Sequence, residues 1–208
     1  MKQNSIPEAI GIAVSLSGLA VMAGWFLGIE ALKSILPVWV SMKFTTALSF
    51  FLCGIELYFI ARYQKKDREL TVVVIPIICM VIFLLMTSLL VSTVLKVNTG
   101  VEELFVKDSM VTVGSVAPGR PSVATMINFI LIAASGIVIT LNIKELNKLP
   151  AILGMTVALI GLTAILGYAI NQPWLYYAVT GKSSAIAVHT AILFVLWGAG
   201  AVLAERNK

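Results

Sequence analysis

The sequence predicts an all-α integral membrane protein: six transmembrane helices as three repeated hairpins, with short interfacial helices on the outer side. Three observations predict it. The 208 residues are 59% hydrophobic and only 12% charged, about half the charge of an ordinary soluble domain. Six stretches are apolar for about the 20 residues that cross a bilayer: about 8–28, 44–61, 70–95, 122–142, 150–170 and 185–204. Finally, a pattern recurs at the start of every second stretch: "TALSFFLCG" (46–54), "TMINFILIA" (125–133) and "TAILFVLWG" (190–198).

The first stretch reads as a span and not as a cleaved leader. Its basic region is Lys2 alone, Glu8 stands at its start, and no small-x-small site precedes a polar mature region. Cys53 and Cys79 both fall inside spans, where they read as small buried hydrophobes. With the N-terminus inside, nine basic residues lie on the cytoplasmic side: Lys2, Arg62, Lys65, Lys66, Arg68, Lys144, Lys148, Arg206 and Lys208. Six lie outside: Lys33, Lys43, Lys96, Lys107, Arg120 and Lys182. The excess places the chain in the cell membrane with both termini cytoplasmic. It is not a nucleic-acid footprint.

The hairpin units run over about 7–62, 70–142 and 150–204 of one domain, 1–208. In each recurring pattern a Thr is followed by Phe four residues on and by Gly54, Ala133 or Gly198 eight residues on. These positions share a helix face, and the small residue lets another backbone approach. The face is expected to pack hairpin against hairpin, a reading that outweighs ligand contact. Parallel units of this kind are related by an axis along the membrane normal. The segments 23–37, 92–106 and 166–179 leave the spans through Gly, Asn or Pro and turn amphipathic, as short interfacial helices do. Trp25, Trp39, Trp174, Tyr176 and Tyr177 fall at that level, where aromatic rings are favoured. In "APGRPSVATMINF" (117–129) the breakers Pro118, Gly119 and Pro121 re-aim the chain, Ser122 caps the fourth span, and Arg120 is expected at the headgroups.

Few residues offer chemistry. Glu56 is the one acid well inside a span, where an acid normally faces the bundle interior or water. It is a candidate proton-responsive or ligand group, against a packed carboxyl bonded to Ser or Thr or reaching toward Arg62. The matching positions in the other two units are Ser135 and Gly200. His189, the one histidine, cannot form a paired haem or metal set. It is either a pH-sensing group or a hydrogen-bonded interfacial side chain. Glu102, Glu103, Lys107 and Asp108 in an outer loop, with Arg120, could hold a small polar ligand, against solvation or mutual pairing. No phosphate loop, dinucleotide fingerprint or catalytic triad is written in the chain, so no enzyme and no cofactor is expected. A bound lipid or hydrophobic small molecule is compatible with the composition.

"PGRPSVATMINFILIAASGI" (118–137) resembles a segment of the N-terminal multi-span membrane sensory domains of bacterial and archaeal sensor histidine kinases and diguanylate cyclases. "VNTGVEELFV" (97–106) is similar to the acidic piece before it there. "LGYAINQPWLYYAVTGKSSAIAVHTAILFVLWGAG" (166–200) is similar to the third unit, with Gly-Tyr at Tyr168, Trp174 beside the Leu-Tyr, and His-Thr-Ala at His189. "ALKSILPVWVSMKFTTALSFFLCG" (31–54) resembles the first unit. The resemblance implies a sensory module that signals through its last span to a cytoplasmic output domain or partner protein, with homo-oligomers allowed. The chain ends at "AERNK", which fits either a segment of a longer receptor or a free-standing relative. Two other classes stay open: a small transporter or channel for a neutral solute, and an accessory subunit of a larger membrane complex.

Overall fold

The computed structural model describes residues 5–36, 39–63, 68–108, 118–177 and 184–206. Lys2, Lys65, Lys66, Lys182 and Lys208, used above to orient the chain, lie outside the described residues, as does Ala117. Among the described residues seven α-helices occur in order: α1 Ile6–Leu27, α2 Glu30–Lys33, α3 Phe44–Tyr63, α4 Arg68–Leu95, α5 Val123–Leu141, α6 Leu149–Ala169 and α7 Val188–Arg206. Single 3₁₀ turns stand at Val101–Glu103, Lys144–Leu146 and Pro173–Leu175. Six of the helices, all but α2, are long and apolar enough to cross a membrane.

Their packing is cyclic. The most extensive contacts join α1 to α3, α4 to α5 and α6 to α7. Then α3 touches α4, α5 touches α6, and α7 returns to α1. Inside this ring α3 also meets α5 and α7. The inner helices α3, α5 and α7 are the more buried, while α1, α4 and α6 leave apolar side chains such as Leu16, Leu84 and Leu159 exposed. An outward belt of this kind suits hydrocarbon and would be costly in water.

The chain uses one device at the end of α1, α4 and α6. Each helix closes on a left-handed residue: Gly28 (φ 70°), Lys96 (φ 56°) and Asn171 (φ 55°). The following N–H bonds back across the last turn, Ile29 to Gly24 O, Val97 to Ser92 O and Gln172 to Gly167 O. This is the Schellman arrangement, and it satisfies carbonyls that the helix end would orphan. A short helical element then follows in each case, at α2, at Val101–Glu103 and at Pro173–Leu175.

Close backbone approach holds the outer helices to the inner ones. The buried face of α1 is Pro7, Gly11, Val14, Gly18, Val21 and Gly24. That of α6 is Pro150, Gly154, Val157, Gly161, Ala164 and Gly167, at the same spacing. A Cβ on Gly18 would overlap the backbone at Ala47 and Phe51, and one on Gly161 would overlap the Ala191 carbonyl. Gly54 faces Gly11 and Ser15, and Gly198 faces Gly154. These two glycines therefore serve the contacts of α3 with α1 and of α7 with α6, not the contacts across the bundle that their shared face with Phe suggested. The reason is geometric: eight residues overshoot two turns by about 80°. In α4 and α5 the roles are exchanged. The buried face of α4 is large, with Ile75, Ile82, Met86 and Leu89, and α5 supplies the small residues, such as Gly136 against Ile75 and Cys79.

A candidate ligand chamber above a phenylalanine triangle

The Phe of each recurring pattern meets the other two on the bundle axis. Phe50, Phe129 and Phe194 are fully buried. Their ring centroids lie 4.8, 4.9 and 5.1 Å apart, in edge-on and tilted arrangements that aromatic quadrupoles favour. Trp197 fills the next turn of α7 and donates its Nε1–H to the Cys53 carbonyl at 3.0 Å. The axis is thus closed by four aromatic side chains.

On the N-terminal side of the triangle the three threonines, Thr46, Thr125 and Thr190, line a single chamber. Ser41, Lys43, Arg120, Ser122 and Ser184 complete its polar lining. Its volume is about 10 Å³, roughly what a single water requires. Ser122 caps α5 as expected, its Oγ accepting from Thr125 N–H at 3.1 Å. The neighbouring backbone is tied down by side chains from α1 and α6. Trp25 Nε1–H donates to Met42 O at 2.9 Å, and the Tyr168 hydroxyl donates to Ile186 O at 2.8 Å.

Two buried ion pairs flank the chamber. Arg120 Nη2 lies 2.5 Å from Glu102 Oε1 and also donates to Val97 O and Asn98 Oδ1. Ser92 and Thr99 hydroxyls donate to the same carboxylate. Lys43 Nζ lies 2.7 Å from Asp108 Oδ2, which also accepts from Gly119 N–H at 3.0 Å. The Arg120 side chain is buried within the protein, held there by Glu102 and two further acceptors. Gly119 sits at φ 64°, and a Cβ there would overlap the Glu102 carbonyl. Gly119→Ala is therefore expected to destabilise the protein by about 1–3 kcal/mol, read from the melting temperature in detergent.

Burial pushes the Glu102 carboxyl up, but backbone donors, Arg120 and Ser92 outweigh it and hold it down at about 2. A depressed carboxyl contributes stability that is fully present above its unfolded value, about 4.3. That contribution is lost as pH falls toward 2. Melting temperature should therefore drop between pH 4.3 and 2, and Glu102→Gln should flatten that slope. A slope unchanged by the substitution would contradict the assignment.

The other sequence candidates lie apart from one another. Glu103 is exposed and accepts from Asp108 N–H at 3.0 Å. Tyr168 stacks on Tyr176 with centroids 4.1 Å apart, and Trp174 is exposed. His189 adjoins Thr190, but its ring bonds the Lys33 backbone, and Nε2 has no partner. Glu56 lies beyond the triangle, fully buried. The Cys79 thiol donates to its Oε1 at 3.6 Å, Gly136 makes room for it, and Oε2 has no partner. Asn128 and Ser135, also buried, likewise lack partners.

Sequence reasoning missed the Lys43–Asp108 pair, whose members are 65 residues apart, and missed the chamber hydroxyls as a group. A signal for the second existed: the three aligned threonines could have been read as one ring. Among the described residues no group of three or more His, Cys, Asp or Glu could hold a metal ion. Between α1 and α3 the small residues leave an outward groove of about 240 Å³, lined by Gly11, Ser15, Gly54 and Tyr58 among others.

No family model, curated protein or solved structure matches the chain.

Proposed function

We propose that the chain is a non-catalytic sensory or ligand-binding module of the cell membrane, with both termini cytoplasmic, built from three hairpins around one axis. The observation that carries this reading is the separation of a polar chamber from the rest of the axis by Phe50, Phe129 and Phe194. The chamber is closed on one side and lined by all three inner helices, so an occupant touches each hairpin at once. A ligand that binds one packing of those helices better than another shifts their equilibrium. α7 is the natural output, since it carries Thr190 and Phe194 and runs to Arg206. A cytoplasmic output domain or a partner protein would read that shift.

The aligned Thr-x-x-x-Phe patterns, the three left-handed helix ends and the cyclic packing support the hairpin reading. The resemblance to kinase and cyclase sensory domains points the same way. A transport path is disfavoured by the aromatic plug. The test is a chimera in which Arg206 is joined to a histidine-kinase core. Autophosphorylation in inverted and right-side-out vesicles is measured while inorganic salts, weak acids and amino acids are varied. Output that responds to one class, and stops responding in Thr190→Val, supports the reading. Constant output across all classes removes it.

A further inference from the structure

The chamber is lined by both cations but by neither of their carboxylates. Lys43 and Arg120 contribute to its wall, whereas Glu102 and Asp108 do not. Arg120 spends Nη2 on three acceptors, yet its Nε–H is buried without any. An unmet buried donor of this kind is costly. Thr46, Thr190, Ser41 and Ser184 add hydroxyls around the same space, and Lys43, Thr46 and Thr190 are each under 5% exposed. The space takes one water-sized species. A donor-rich wall, two cationic heads and room for one small occupant together suit an acceptor carrying negative charge.

We propose that the chamber is a binding site for a small monovalent anion of the halide class. Arg120 Nε–H, the Lys43 ammonium and the Thr46 and Thr190 hydroxyls form its donor set. The proposal names the ligand class of the chamber discussed above and rests on that location, but binding requires no signalling.

The test uses the full chain in nanodiscs. Sodium bromide and sodium chloride are titrated against sodium gluconate at constant ionic strength and pH, with melting temperature as the readout. A saturable rise in halide, absent in gluconate, is expected from binding to the folded state. In Thr46→Val/Thr190→Val, and separately in Arg120→Lys, the halide midpoint should rise at least about tenfold, because donors to a charge are lost. The Arg120→Lys variant keeps the positive charge opposite Glu102, so it reads the midpoint even if the double variant does not fold. Equal melting in halide and gluconate would show a chamber that takes water only, and would overturn the proposal. So would a halide rise whose midpoint neither variant moves, since the ion then acts elsewhere. A chimera with constant output but an intact halide midpoint would remove the sensory reading and leave this one standing.

Discussion

Replacing Arg120 with Met is expected to destabilise the protein by about 3–5 kcal/mol, the usual cost of removing one partner from a buried ion pair. The mechanism is specific. Glu102 is buried and loses its countercharge, keeping only the Ser92 and Thr99 hydroxyls among its side-chain donors. The loop carbonyl of Val97 and the amide of Asn98 lose a donor as well. A reversal experiment separates pairing from mere bulk. In Arg120→Met with Glu102→Leu, both charges are gone, and an apolar pair of similar volume should restore much of the stability. Equilibrium unfolding in mixed micelles gives the two values. If the single substitution costs under about 1 kcal/mol, the pair behaves as a solvated surface bridge, and the buried assignment is wrong.

Phe129→Ala carries the second large effect, again about 3–5 kcal/mol. In hydrocarbon the loss comes from packing, since helices in lipid associate through van der Waals contact and hydrogen bonds. Phe129 touches both Phe50 and Phe194, so its removal leaves a cavity at the meeting point of all three inner helices. The corresponding losses at Phe50 and Phe194 should not add to it, because the three rings share one contact set. Phe129→Leu, which removes less volume than Phe129→Ala, should cost less than the Ala. Unfolding of the Ala and Leu series in the same micelles checks this order. Independent, additive effects would mean the rings do not form one cluster.

How far the sequence reaches can be judged from individual residues. The long helices were legible because apolar length is a local property, and the boundaries fall within a few residues of the expected spans. The Ser122 cap and the turn at Gly119 were legible for the same reason. The Thr-x-x-x-Phe pattern pointed to a common face, and the three rings meet on it. Gly54 and Gly198 turned out to face α1 and α6, a consequence of helical drift over eight residues. The matched small-residue faces of α1 and α6 were written in the chain but hidden among apolar neighbours. Their counterpart in α4 is absent because α5 carries the small residues instead. Arg120 could not be placed from its turn alone. Its burial depends on Glu102 and on Ser92 of α4, which bonds the same carboxylate. Glu56 stands out in the sequence as an acid inside a span, but its setting beside Gly136 and Cys79 is a tertiary fact with no local signature.

The central claim is that the polar chamber ends at the phenylalanine triangle and is not part of a path. Proteoliposomes containing the full chain test it directly, with radiolabelled glycerol, urea and halide as probes. The account predicts permeation equal to protein-free vesicles for wild-type protein. Saturable flux of any of these solutes that scales with the amount of protein would contradict it.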